Sequence, residues 1–281
     1  MDDEDYKDVC FCPENNKLYA VRTNSSSNIG MVDVICPNTT AETQSPQASI
    51  TVGNNANIIL YHPSARRIFV IAPLKLSIIN PKDNSVDHVV MGTANWQDPA
   101  CAVYNPRTGQ IFVGCADHGR LLGITPGRLT HSGNLAWTSG TGVELDLESE
   151  GYNAITGLRA DPDRNVLCLF DGTQERGNAV TDVYSNNIQV SSTRPSLSSD
   201  WQRTYTHFLS QYSWGPMGDV TKDVIYCPYD GSSYWLSAPS GYAPQSTVFK
   251  MDMSGLMPTR EIILYNYYEK LVYCPDNNMI Y

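Results

Sequence analysis

One short unit is written six times along this chain, and it limits the possible folds more than any other feature. Its first copy is VCFCPENNKLYAV, Val9 to Val21, and its last is LVYCPDNNMIY, Leu271 to Tyr281. Between them stand IILYHPSARRIFVIA around Pro63, CAVYNPRTGQIFVGC around Pro106, ITGLRADPDRNVLCLF around Pro162 and DVIYCPYDGSSYWLSA around Pro228. Proline fixes φ and lacks an amide donor, and the Asn, Asp and Gly that follow it tolerate turn conformations, so the middle of each copy is a turn. The flanks are short runs rich in Val, Ile, Tyr and Phe, which suit strands. Each copy therefore predicts a strand–turn–strand hairpin.

Prolines 13, 63, 106, 162, 228 and 275 lie 50, 43, 56, 66 and 47 residues apart. A period of roughly 40–50 residues built from strands and turns is that of a β-propeller blade with four strands. The intervals supply the two remaining strands: GMVDVI and ASITVG after the first hairpin, LSIIN and HVVMG after the second, STVFKMDM and REIILY after the fifth. No window shows a sustained 3.6-residue apolar period, so no long helix is expected. The expectation is an all-β, six-bladed propeller whose last blade is incomplete, which is equally five full blades plus a hairpin, in a single domain spanning 1–281. The interval 171–222 is too long for two outer strands alone and is expected to carry a loop insertion. The terminal hairpin lacks the outer strands that follow the other copies. An open sheet edge is a pairing template, so the N-terminal segment or another subunit is expected to cover it, with Met279, Ile280 and Tyr281 ordered and packed on a neighbouring blade.

The stretches NPRTGQIFVG and NNKLYAV resemble the Pro-turn hairpin of YVTN-type and NHL-type β-propellers, and the likeness runs along nearly the whole chain. It implies the fold and no particular activity, since propellers host hydrolases, redox enzymes and scaffolds alike. Six-bladed hydrolases of the gluconolactonase type share the motif, most visibly at CPENNKLYAV. In that family a metal-binding Glu shortly precedes the corresponding proline. Here the stretch reads DVCFCP and has no Glu.

The chain has 29 acidic and 19 basic residues, a net charge of −10, and its only adjacent basic pair is Arg66-Arg67. A phosphate-binding surface needs clustered Lys and Arg, so nucleic acid is not an expected partner. No apolar run approaches the roughly 20 residues of a membrane span, so no membrane insertion is expected. The N-terminus MDDED has neither a basic start nor an apolar core, so no signal peptide is expected, and the expectation is a cytoplasmic or virion-associated protein. The sequons at Asn24 and Asn38 then read as polar loops.

Eight cysteines are present. Cys12, Cys227 and Cys274 share the repeat position before the proline, Cys115 closes an apolar strand and Cys168 lies inside one. They read as small buried hydrophobes and free thiols. Cys10 and Cys12 face the same side of a strand, and there is no CxxC, so no metal and no cofactor are expected. The histidines His62, His88, His118, His131 and His207 occupy unequal repeat positions. Asp117-His118 is the most catalytic-looking pair, yet no third group supports it, and no serine stands in a nucleophile elbow. No catalytic residue is assigned.

Surface chemistry points elsewhere. Tyr212, Trp214, Tyr234, Trp235 and Tyr242 fall close together, in and after the long interval. Tyr and Trp offer rigid contact area with a polar handle, and they concentrate in interfaces and sugar sites. These five are the candidate binding residues. The expected function is a non-enzymatic structural or protein-docking module, with other protein subunits of a larger assembly as partners, and specifically a virion component such as a phage tail or capsid-associated protein. A lactonase-type propeller hydrolase and a carbohydrate or receptor-binding module that takes a glycan are the alternatives.

Overall fold

The computed structural model describes residues 6–24, 26–37, 45–90, 98–106, 109–116, 119–124, 142–146, 153–155, 157–161, 166–170, 180–186, 201–208, 219–227, 229–230, 232–239, 246–252, 257–266, 271, 273–274 and 277–281. All regular structure among them is β-strand. The first sheet has the order β1 (Tyr6–Cys12), β2 (Lys17–Thr23), β3 (Gly30–Ile35), β4 (Ala48–Thr51), and the second β5 (Ile58–His62), β6 (Arg67–Ala72), β7 (Lys75–Ile79), β8 (Val86–Val90). The third is β9 (Pro99–Asn105), β10 (Gln110–Cys115), β11 (Arg120–Ile124), β12 (Gly142–Asp146). The fourth is β13 (Gly157–Asp161), β14 (Val166–Phe170), β15 (Val180–Asn186), β16 (Trp201–Phe208). The fifth is β17 (Asp219–Cys227), β18 (Ser232–Pro239), β19 (Ser246–Asp252), β20 (Met257–Leu264), and a two-stranded ladder of β21 (Tyr273–Cys274) and β22 (Met279–Ile280) follows.

Each sheet is a meander of neighbouring strands in chain order, and the first two strands of each are a repeat hairpin. The turn chemistry explains why the six copies share one shape. The third residue after the proline is left-handed in every described copy: Asn16 (φ 55), Arg66 (φ 52), Gly109 (φ 68) and Asn278 (φ 55). Asn and Gly are the residues that enter this region at least cost, and the two remaining copies carry Asn165 and Gly231 at the same position of the sequence. The ladders close on these turns with Cys12 opposite Lys17 and His62 opposite Arg67.

By contact, the chain divides into two compact units. One comprises Met1–Tyr104, Gly109–Asp117 and Gly123–Gly142; the other comprises Asn105–Thr108, His118–Leu122 and Val143–Tyr281. In the first unit β1 lies against β5. Between those two sheets sits a core of Cys12, Tyr19, Val21, Val32, Val34 and Ile50 from one side and Ile59, Ile68, Val70, Ala72 and Ile79 from the other. Cys10 packs against this core on the same strand face as Cys12. Tyr19 and Val21 on β2, and Val32 and Val34 on β3, reach this core together because side chains two apart share one face of a strand. In the second unit β13 lies against β17 and β17 against β21, while Leu236, Val248 and Leu271 form a buried cluster joined by Ile225, Tyr234, Leu264 and Ile280.

One carboxylate ties all four strands of the first sheet. Asp33 on β3 is 1% exposed. It accepts from Tyr6 Oη on β1 at 2.7 Å, Arg22 Nε on β2 at 2.8 Å and Ser49 Oγ on β4 at 2.6 Å. Burial would raise its pKa, but these donors and the Arg22 charge outweigh burial and hold it below the usual carboxylate range.

One expectation changes here. The interval 171–222 contains both outer strands of the fourth sheet, β15 and β16, and the first residues of β17; the stretches 171–179, 187–200 and 209–218, where the expected insertion would fall, lie outside the described residues. At the C-terminal hairpin only Ile280 packs inward, whereas Met279 and Tyr281 are 53% and 65% exposed. Alternation decides this: Met279 and Tyr281 share the strand face opposite to Ile280, so one hairpin strand cannot bury all three.

Candidate functional site

Of the five aromatic residues singled out in the sequence, Tyr234 and Trp235 are adjacent residues of β18. Tyr212, Trp214 and Tyr242 lie outside the described residues. Trp235 stands in register with Val224 and Phe249 at the centre of the fifth sheet. Tyr234 reaches the turn that precedes its strand. Its hydroxyl donates to Asp230 Oδ2 at 2.7 Å, and Lys250 Nζ from β19 donates to the same oxygen at 2.7 Å. Asp230 Oδ1 accepts from the Ser232 amide at 3.1 Å, closing an Asx turn at the head of β18. Register explains how Lys250 arrives there, since it is the cross-strand partner of Tyr234, with its ammonium 5.6 Å from the centre of the Tyr234 ring. Tyr229, on the same turn, is 73% exposed.

The electrostatics of this trio are those of a fixed platform. Burial alone would raise the Asp230 carboxyl, but Lys250, Tyr234 and the Ser232 amide hold it at about 2. Burial and the Asp230 charge push the Tyr234 phenol up, and the Asp230 hydrogen bond raises Lys250. At neutral pH the carboxylate is charged, the ammonium charged and the phenol protonated. Proton transfer needs a group poised near the working pH, and none of the three is. The arrangement offers an exposed aromatic ring beside ordered charges, which suits binding.

The first unit carries a second cluster that the sequence reading missed. Tyr61, two residues before Pro63, donates to Glu14 Oε1 at 3.2 Å, and Glu14 is the residue after Pro13 in the preceding hairpin. Arg66 Nε donates to the same oxygen. The next hairpin repeats the relation: the Tyr104 hydroxyl, two residues before Pro106, lies 3.3 Å from Ser64 Oγ, the residue after Pro63. Burial first, and then the Glu14 charge, raise the Tyr61 phenol to about 12. The signal was present in the repeat register, where positions two before and one after each proline read Tyr or Phe and a polar residue in most copies.

His62 is the last residue of β5, directly before the turn proline. It is 2% exposed. Its Nδ1 accepts from the Ala65 amide at 3.0 Å, so Nε2 carries the proton and donates to the Gly109 carbonyl at 3.1 Å. The Tyr104 ring lies 4.5 Å away, centre to centre. Burial depresses its pKa, offset only in part by the Gly109 bond. This histidine is a neutral brace between two hairpins. Asp117 and His118 lie outside the described residues. Cys10, Cys12, Cys36, Cys101, Cys115, Cys227 and Cys274 are free thiols, and among the described residues no three His, Cys, Asp or Glu side chains gather around a metal position.

No family model matches the chain, and no curated protein matches it in sequence. Solved structures do match in fold. A chain of the Mitotic Checkpoint Complex superposes with a TM-score of 0.62 at 12% identity, covering 100% of this chain and 74% of that one. Sqt1 from Saccharomyces cerevisiae gives 0.61 at 13% identity, over 95% of this chain and 65% of its own. A candidate 6-phosphogluconolactonase from Bacteroides fragilis gives 0.63 at 10% identity, over 97% and 75%. All three are propeller-type folds. The chain therefore has a propeller-type, all-β fold built from antiparallel sheets. At such identities the likeness speaks to fold alone. No helix among the described residues is long and apolar enough to cross a membrane.

Proposed function

We propose that this chain is a protein-docking module: one propeller domain of six repeats, the last incomplete, working as a subunit of a larger assembly. The observation that carries the reading is the patch at the β17–β18 turn. Tyr229 stands 73% exposed beside the Asp230–Tyr234–Lys250 trio, and an exposed rigid aromatic next to ordered charges is the chemistry of an interface hot spot. Tyr212, Trp214, Trp235 and Tyr242 extend the same stretch of sequence and are proposed to belong to the same interface. The fold supports the reading in one further respect, since a relative in fold was solved as part of a complex. A virion is the proposed location, on the strength of the polar-aromatic loop segments of the sequence.

The test uses the full chain in extract of its native source. Wild-type protein is expected to migrate in an assembly on size-exclusion chromatography. Tyr229→Ala is expected to shift it to the free subunit without lowering its melting temperature, and Lys250→Ala to shift it likewise with some loss of stability from the broken Asp230 ion pair. Unchanged migration of both variants, or saturable hydrolysis of lactones or esters by the purified protein, would overturn the proposal. Saturable binding to a glycan array that is lost in the same variants would replace protein with carbohydrate as the partner.

A further inference from the structure

We propose that the C-terminal hairpin of one copy docks head to tail on the β1 side of the first sheet in a second copy of this chain. The ground is a packing rule that the repeats obey. Where the first sheet meets the second, the earlier sheet contributes Tyr19 and Val21, six and eight residues after its proline, and the later one contributes Ile59 and Ile68, four before and five after its own. Where the fifth sheet meets the terminal ladder, the same positions recur. Tyr234 and Leu236 stand six and eight residues after Pro228, and Leu271 and Ile280 stand four before and five after Pro275. One face of each hairpin thus receives the preceding repeat, and the opposite face is presented to the following one.

The first and last copies keep this pattern, and each leaves one side of it open. Val9 and Phe11, four and two residues before Pro13, are 55% and 48% exposed, whereas Ile59 at the matching place in the second copy is 3% exposed. Tyr281, six residues after Pro275, is 65% exposed, whereas Tyr19 is fully buried. Repeat arrays ordinarily end in copies with polar outer faces; here the end copies carry the interior chemistry. The polar anchor is repeated too. Asn15 Nδ2 donates to Tyr19 Oη and to the Pro81 carbonyl of the next repeat, both at 2.9 Å. Asn277 Nδ2 donates to Tyr281 Oη at 2.7 Å. The first sheet offers the matching acceptor: exposed Pro37 stands two residues after Ile35, as Pro81 stands two after Ile79, and Ile35 and Ile79 pair with Leu18 and Ile68, each five residues after its proline. A single copy leaves Val9, Phe11 and Tyr281 exposed together, and a second copy brings the surface that each of them is built to meet. Such a contact is heterologous, since two different patches join. The inference goes beyond the β17–β18 patch, which takes no part in this contact.

The experiment uses the purified full-length protein alone. Sedimentation velocity over a concentration series is expected to show a mass above that of one chain, rising with concentration. Phe11→Asp and Tyr281→Ser should each weaken association about tenfold or more with an unchanged far-ultraviolet circular dichroism spectrum. Because head and tail differ, mixing the two variants should give a one-to-one dimer, with the intact tail of the first seated on the intact head of the second. Benzoylphenylalanine in place of Tyr281, in a mixture of isotopically light and heavy protein, should crosslink to the peptide that carries Val9 and Phe11 in mixed-isotope pairs, and this readout decides the case even where a substitution disturbs folding. Wild type that stays monomeric throughout, variants that associate as wild type does, or crosslinks confined to peptides of one chain would overturn the inference. If purified wild type is monomeric while its assembly in extract depends on Tyr229, this inference falls and the docking reading stands.

Discussion

Replacing Gly30 with alanine tests the packing of the first unit at its tightest point. A β-carbon there would stand 2.1 Å from the Gly53 carbonyl oxygen, 2.8 Å from Ala56 Cβ and 3.1 Å from Val52 Cγ2. The carbonyl would have to retreat by roughly 1 Å to reach ordinary contact. It cannot move alone, because the Val52 amide donates to the Gly30 carbonyl at 2.9 Å and the Asn55 amide to the Asn28 carbonyl at 2.9 Å. Overpacking costs about 1–3 kcal/mol and each weakened hydrogen bond about 1 kcal/mol, so the expected loss is about 3 kcal/mol. Gly109→Ala is the control: nothing lies within 4 Å of its β-carbon, and only its φ of +68 opposes the change, at about 1–2 kcal/mol. Urea unfolding followed by far-ultraviolet circular dichroism should show a clearly lower midpoint for Gly30→Ala at an unchanged slope. A Gly30 variant no less stable than the Gly109 variant would refute the claim that these two backbone segments are locked in contact.

Four further outcomes follow from polar and titratable groups. Asp33→Ala should cost about 3–5 kcal/mol, because it removes the buried carboxylate to which Arg22, Tyr6 and Ser49 all donate, and denaturant titration of the purified variant measures it. Asp33 and Asp230 have folded pKa values below their unfolded value of 3.8, the latter at about 2. Their stability contribution is therefore full above about pH 4 and lost as pH falls toward 2, and a midpoint of unfolding that stays flat from pH 5 to 2 would contradict it. His62 likewise titrates below its unfolded value of 6.5, so its contribution is present above that pH and declines as pH falls beneath it. Nitrogen NMR should find the Nε2-protonated tautomer near neutral pH, and the Nδ1 tautomer would contradict the assigned bonds. Thiol titration of the denatured, unreduced chain should find eight thiols, with Cys10 silent in the native state because burial, then Asp8 and Cys12, push its thiol far up.

The hairpin repeat made the sheets legible before any coordinates, because turn chemistry and strand propensity are local and the prolines keep register. Strands fall on GMVDVI, on ASIT of ASITVG, on LSII of LSIIN and on HVV of HVVMG. What could not be read from the sequence is what depends on partners far apart along the chain. Asp33 and Arg22 look like any charged pair until β2 and β3 bring them together with Tyr6 and Ser49. Gly30 and Gly53 are ordinary glycines at strand ends until the two segments come together. Tyr234 was singled out for its ring, and its role turns on Asp230 and Lys250, which only the β18–β19 register supplies. The link from Tyr61 to Glu14 joins consecutive repeats, so it emerges from comparing copies rather than from reading one.

The docking claim is tested most directly by placing a photo-reactive benzoylphenylalanine at Tyr229, and separately at Leu74, which is 43% exposed on the β6–β7 turn of the first unit. Both proteins are irradiated in extract of the native source, and crosslinked peptides are sequenced by mass spectrometry. The account predicts one discrete protein partner captured at position 229 and not at 74, with capture abolished by Lys250→Ala. Equal, diffuse crosslinking at both positions would contradict it.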